Sequence, residues 1–167
     1  INGSATLYNA MIAPLATTRL AGMAWYQGES DTGLPGYELR LNTLISDWRK
    51  RFGTPQTAVG VVQLSSYGAR PVTPVESGWG YVRDAQRRVA AADPHVGLAV
   101  THDIGDATDI HPGEKYQVGM RLARVMRAAL YGEDIGRAGP EIAGATLGGD
   151  GAATLRFAHV TGALHAR

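Results

Sequence analysis

Three apolar runs of strand length, each followed by a stretch with helical periodicity, constrain this chain more than any other feature. The runs are 20–25, 58–64 and 96–100, and the helical patterns are 37–52, 79–92 and 112–130. In the first pattern Leu41, Leu44, Ile45, Trp48 and Phe52 fall on one face, and Gly53 and Pro55 stop it. That stripe makes Trp48 a core residue. In the second, Val82, Ala85 and Val89 face inward, Ser77 stands where a cap belongs, and Asp93-Pro94 ends the helix. In the third, Val118, Leu122, Val125 and Ala129 form the stripe, with Pro112 at the expected first turn and Tyr131-Gly132 at the close. The run at 58–64 is continuous and rich in valine, as a buried parallel strand is. Strand and helix alternating three times predict a parallel sheet with helices on its faces.

Open sheets of this kind keep their ligand sites beyond the carboxyl ends of the strands. Two of the three runs end in chemistry-bearing residues. The first passes into Tyr26-Gln27-Gly28-Glu29-Ser30-Asp31, and the third into Thr101-His102-Asp103, followed by Asp106, Asp109 and His111. These read as two halves of one site. His111 is the foremost candidate, since a general base needs an imidazole held by a carboxylate, and Asp109 and Asp106 lie two and five residues before it. The plainer alternative is a polar loop histidine. His102 reads as structural, and His95, His159 and His165 fall elsewhere. His102, Asp103, Asp106, Asp109 and His111 offer a metal-ligand set as an alternative, but their spacing fits no strong zinc template. Gln27 and Gly28 suit oxyanion stabilisation through a side-chain amide and a backbone N–H. Glu29 can serve His111 as an alternative carboxylate, or simply complete a polar turn.

Composition narrows the remaining classes. With 44% hydrophobic and 19% charged residues the chain is an ordinary globular one. A formal net charge of +1, with no basic run longer than three, gives no reason to expect a nucleic-acid or membrane-surface partner. There is no apolar run of eighteen residues, and zero cysteines exclude disulfides and thiolate metal sites. Residues 7–15 read as a short helix or turn. From Gly139-Pro140 onward the texture becomes Gly- and Ala-rich, with alternation at 153–157 and a hairpin turn at 148–151. A domain boundary is therefore expected near 136–140.

Several blocks in order resemble the sialate O-acetylesterases. They are Leu7-Tyr8-Asn9-Ala10-Met11, Trp25-Tyr26-Gln27-Gly28-Glu29-Ser30-Asp31, Asp47-Trp48-Arg49, Val62-Gln63-Leu64, Arg83-Asp84-Ala85-Gln86 and Asp109-Ile110-His111-Pro112. The resemblance continues through Gly119-Met120-Arg121-Leu122-Ala123 to Gly139-Pro140. It implies an SGNH hydrolase domain of flavodoxin-like three-layer α/β/α form over 1–136, with 137–167 beginning a β-rich domain. It also implies hydrolysis of acetyl esters on sugars by a serine nucleophile, with no cofactor and no metal. Carried over by motif, His111 is the catalytic histidine, Asp109 its acid and Glu29 the alternative third member. Gln27, Gly28, Asn9 and Arg83 become oxyanion or substrate-binding residues. A periplasmic or secreted setting is the expectation for the full-length protein.

One departure stands out. The family's nucleophile sits in a Gly-Gln-Ser-Asn block ahead of the Leu-Tyr-Asn segment, and this sequence has no such block. Its serines are 4, 30, 46, 65, 66 and 77, none in a strand-to-helix elbow. The chain thus reads as a fragment of an esterase, itself inactive. The alternatives are a carbohydrate-binding remnant without catalysis and a metal-assisted hydrolase.

Overall fold

The computed structural model describes residues 3–136 and 139–165. The three apolar runs form strands β1 (Gly22–Tyr26), β2 (Ala58–Val62) and β3 (Val96–Ala99). The helices between and after them are α1 (Tyr37–Phe52), α2 (Gly78–Ala92) and α3 (Lys115–Tyr131). The strands are all parallel in the order β1-β2-β3, with Met23 opposite Val59 and Val61 opposite Leu98. The central strand β2 is buried at every residue, which accounts for its unbroken apolar sequence.

Alternation along the strands gives the sheet two unlike faces. Met23, Val59, Val61 and Val96 point to one side, where they pack with Tyr37, Leu41 and Ile45 of α1 and Val82, Ala85 and Val89 of α2. On the other side the sheet presents small residues to α3. A Cβ on Gly60 would lie 2.6 Å from Leu122 Cδ1 and 2.7 Å from Met126 Sδ, and one on Gly97 2.9 Å from Val125 Cβ. Helix α3 therefore rests almost on the strand backbone, closing a second core with Val62, Ala99, Val118 and Val125. Val62 and Val125, both fully buried, contribute about 1.5–3 kcal/mol each. Two helices on one face and one on the other make the expected three layers.

Trp48 packs as expected, edge-on to Trp25 and to Phe52 with ring centroids 6.2 and 6.1 Å apart. The third helix begins later than its sequence pattern suggests. The Lys115 N–H bonds the Gly113 carbonyl at 2.7 Å, and Glu114 sits at ψ 46°, outside the helical range. Pro112 thus belongs to the preceding loop. Residues 7–15 form two short helical turns, Tyr8–Ile12 and Ala13–Leu15.

Beyond α3 the chain makes a separate antiparallel pair, β4 (Glu141–Leu147) and β5 (Ala153–Ala158), joined by the expected turn with Gly148 N–H donating to Ala152 O at 2.7 Å. The boundary expected near 136–140 includes residues 137 and 138, which lie outside the described residues. Among the described residues no helix is long and apolar enough to cross a membrane.

Candidate active site

Because the three strands run in one direction, the loops that leave β1, β2 and β3 gather along a single edge of the sheet. The first is set by two buried side chains. The Gln27 carbonyl accepts from the Tyr37 hydroxyl at 2.9 Å and from Gln86 Nε2 at 3.1 Å, and Gln86 Oε1 accepts from the Leu64 N–H at 3.0 Å. Gln86 is fully buried, and burial pushes the Tyr37 phenol up, so it stays a proton donor. Gly28 follows directly. It is buried, and its N–H donates to no group among the described residues. Buried N–H groups without a partner are rare in folded proteins. A side chain here has no room, since its Cβ would lie 2.9 Å from Val82 Cγ1 and 3.1 Å from Leu64 Cγ.

The Gln27 side chain turns to Asp31, donating through Nε2 at 2.5 Å, and Asp31 is also paired with Arg40 at 2.6 Å. Among the loop's main-chain donors without an acceptor in the described residues, the Gly28 N–H is the one on a buried residue, Glu29 being half-buried and Ser30 exposed. Glu29 opens the helical turn Glu29–Asp31. Its carbonyl accepts from the Thr32 hydroxyl at 2.8 Å, while its carboxylate has no hydrogen-bond partner among the described residues.

The end of β2 is braced from α2. Arg83 donates through Nε to Leu64 O at 2.9 Å and through its terminal nitrogen to Ser65 O at 2.8 Å, and Trp79 Nε1 joins it on Ser65 O at 2.8 Å. Burial lowers the pKa of Arg83, whose guanidinium is committed to main-chain carbonyls. Ser65 donates to Thr101 Oγ1 at 3.0 Å, and Thr101 in turn to Gln63 O, so the ends of β2 and β3 are laced together. Ser66 donates to His102 O.

The third loop carries the histidine. Arg121 of α3 grips Asp103 with two bonds of 2.5 and 2.8 Å and also reaches Val100 O at 2.7 Å. That guanidinium holds the Asp103 carboxyl below the usual carboxylate range. Further along, Gly68 N–H donates to Ala107 O at 3.2 Å, and Asp106 Oδ1 accepts from the Thr108 N–H, the Thr108 hydroxyl and the Asp109 N–H. Asp109 Oδ1 then accepts the His111 N–H at 2.7 Å and lies 3.7 Å from His111 Nδ1. The imidazole is 86% exposed and the carboxylate 61%. Finally, Lys115 Nζ sits 5.0 Å from the centroid of the Tyr26 ring, drawing the start of α3 to the end of β1.

The structure thus brings His111 and Asp109 together, and sets Gln27, Gly28 and Glu29 along the same edge. Asn9 is not brought there. It adjoins Tyr8, whose ring lies under Arg51 at 4.6 Å, in the last turn of α1 and so at the opposite edge of the sheet. No serine among the described residues is hydrogen-bonded to His111. Nor does any group of three or more His, Asp or Glu side chains among them converge as metal ligands.

Residues 1–128 match the family described as "Carbohydrate esterase, sialic acid-specific acetylesterase". The chain belongs to this family. Among relatives of this sialic acid-specific acetylesterase family member, sialate O-acetylesterase of Mus musculus is 36% identical over 143 residues, covering 76% of this chain and 26% of that protein. The Homo sapiens sialate O-acetylesterase is 35% identical over 149 residues, covering 76% and 27%. A solved carbohydrate acetylesterase from Xanthomonas citri superposes with a TM-score of 0.81 at 36% identity, covering 91% of this chain and 35% of that one. The chain accordingly spans about a quarter of the length of the curated relatives it matches.

Two residues of this acetylesterase-family chain were not singled out from sequence, Gln86 and Tyr37. The signal for both was present. Gln86 lies four residues after Val82 and three before Val89, a carboxamide on an otherwise apolar stripe, and Tyr37 lies four before Leu41 on the stripe of α1. A polar group at such a position needs a buried partner.

Proposed function

We propose that this chain carries the base and oxyanion side of a carbohydrate O-acetylesterase, acting on acetyl esters of sugars. The observation that carries the reading is the unpartnered N–H of buried Gly28, on the same sheet edge as the His111–Asp109 pair. In the reaction His111 takes the proton of a serine hydroxyl as its oxygen attacks the acetyl carbonyl. The Gly28 N–H donates to the carbonyl oxygen as negative charge builds there. The proton passes from His111 to the departing sugar oxygen, and water, activated by the same imidazole, releases acetate. Asp109 orients the imidazole, with Glu29 as the alternative carboxylate, and Arg83 keeps the end of β2 in place from below. Residues 1–136 form the catalytic portion and 137–167 a β-rich unit, a division supported by the separate antiparallel pair.

None of these 167 residues belongs to a Gly-Gln-Ser-Asn block, so hydrolysis is assigned to the full-length gene product. A second reading, carbohydrate binding without turnover, is favoured by the absence of a serine bonded to His111 among the described residues. Acetate release from O-acetylated sugars by the full-length gene product separates the two. Release that falls by a factor of about 10³ or more in His111→Ala supports the esterase. No release from any O-acetylated sugar or aryl acetate supports the binding reading.

A further inference from the structure

The Gln27–Gly28 peptide is clamped from one side only. Its carbonyl takes two donors, the Tyr37 hydroxyl at 2.9 Å and Gln86 Nε2 at 3.1 Å, which fills both lone pairs. Gln86 is itself fixed at its other end by the Leu64 N–H at 3.0 Å, and its Nε2 also approaches the Tyr37 oxygen at 3.2 Å. Both side chains are buried, Gln86 at 0% and Tyr37 at 2% exposure. In a trans peptide the C=O and the following N–H point in opposite directions, and there are no cis peptides here. A carbonyl drawn toward α1 and α2 therefore sends the Gly28 N–H the other way, where it meets no acceptor among the described residues.

We propose that Gln86, assisted by Tyr37, is the positioning residue of the oxyanion donor, locking the Gln27–Gly28 peptide so that its N–H is presented to the reacting carbonyl. This rests on the esterase reading above. Gln86 touches no substrate; it acts through one peptide plane. A mere packing role would be filled by any residue of similar volume. The clamp requires an acceptor for Leu64 and a donor for Gln27 on the same side chain, and among uncharged side chains of this length only a carboxamide supplies both.

The substitution Gln86→Glu separates these roles. It retains the acceptor for the Leu64 N–H but, when ionised, offers the Gln27 carbonyl no donor and repels it. Protonated, the substituted carboxyl donates again. Burial raises the pH at which that happens. The other titratable or charged groups around it are the Tyr37 phenol from α1, Glu29 and Asp31 from the β1 loop, and Arg83 from α2. Expected in the full-length gene product is a kcat about 10²-fold below wild type at pH 8, of the size a lost oxyanion donor produces, with KM nearly unchanged. The ratio of variant to wild-type kcat should climb back as pH falls, which cancels the protonation of His111 common to both. Gln86→Met should show the loss without the recovery, and Tyr37→Phe, which removes one of the two donors while keeping the ring, a smaller loss.

The second measurement needs no activity. In the 167-residue chain, the Gly28 amide resonance of Gln86→Glu should titrate with the substituted carboxyl and approach its wild-type shift in acid. A kcat within threefold of wild type at pH 8, or a Gly28 amide that does not respond, overturns the proposal. A responding amide in a protein that hydrolyses no acetyl ester would leave the clamp standing but remove the oxyanion role and the esterase reading with it. Should Gln86→Glu fail to fold, Tyr37→Phe carries both measurements, and an unchanged Gly28 amide shift and kcat there overturn the proposal equally.

Discussion

Lys115, the first residue of α3, meets Tyr26, the last residue of β1. The ammonium lies 5.0 Å from the ring centroid. Helix α3 follows β3, which stands two strand spacings from β1, about 9–10 Å, so the contact joins elements whose strands are not neighbours in the sheet. It is also four residues from His111, and ties the base of the histidine loop to the residue before Gln27. A double-mutant cycle of Lys115→Met and Tyr26→Leu should give a coupling of about 0.5–1 kcal/mol in urea unfolding, the value of an exposed cation–π pair. The cycle is needed because Lys115 opens α3, where its charge opposes the helix dipole and masks the gain in a single variant. Zero coupling would mean the contact is incidental.

The two candidate carboxylates should differ in their effect on turnover. Asp109 already bonds the His111 N–H and stands 3.7 Å from its ring nitrogen, a small adjustment from orienting it. In the full-length gene product Asp109→Asn should cost on the order of 10⁴ in kcat, and Glu29→Gln about 10–100-fold. The reverse order would make Glu29 the partner of the imidazole.

Residues 1–167 by themselves should not turn over an aryl acetate. Ser65 and Ser66 donate their hydroxyls to Thr101 Oγ1 and the His102 carbonyl, Ser77 Oγ accepts the Gly80 N–H at the start of α2, and a nucleophile must lie roughly 2.6–3.2 Å from its base. Turnover abolished by His111→Ala in this chain would overturn the expectation and direct attention to Ser30.

Two glycine-to-alanine substitutions should move stability in opposite directions. Gly60→Ala drives a methyl into Leu122 and Met126 and should cost about 1–3 kcal/mol. Gly119→Ala lies within α3 with nothing within 4 Å of the new methyl, and should gain up to about 1 kcal/mol from helix propensity. Chemical denaturation reads both.

The Asp103–Arg121 pair predicts an acid-dependent term. The folded carboxyl titrates below its unfolded value, so its stabilisation is fully present above about pH 4, the unfolded range, and is lost as pH falls through the folded value. Wild type and Asp103→Asn should therefore differ in stability at pH 6 and converge toward pH 2–3. The side chain is half exposed, so the gap is modest and shrinks with added salt. A gap independent of pH would assign it to packing.

Most of the architecture was legible because periodicity is written locally. The stripe of Leu41, Ile45 and Phe52 gave α1 its limits, and the valines at 59, 61 and 62 marked a strand covered on both faces. The late start of α3 was not legible, since Pro112 fits a first turn as well as a loop, and the bond from Lys115 to Gly113 that decides it is a matter of backbone conformation. The candidate site divides similarly. His111 and Asp109 sit close in sequence, and a short loop keeps them close in space. Asn9 is tied to the site by its motif alone, and the edge of the sheet it occupies depends on where Tyr8 docks. The role of Gln86 is not written locally, since its partners lie 22 and 59 residues away.

The unequal faces of the sheet imply an unequal tolerance of sequence change. Toward α1 and α2, Val59, Val61 and Val96 interlock with side chains that have volume to trade, so exchange among aliphatic residues with a compensating change opposite is open to selection. Toward α3, Gly22, Gly60 and Gly97 have no volume to give up and no space to gain it. Drift on that side is confined to the helix. A saturation library of the three strands should therefore return alternating columns, permissive at one residue and nearly invariant at the next, with the helix–sheet spacing rather than the strand propensity setting the pattern.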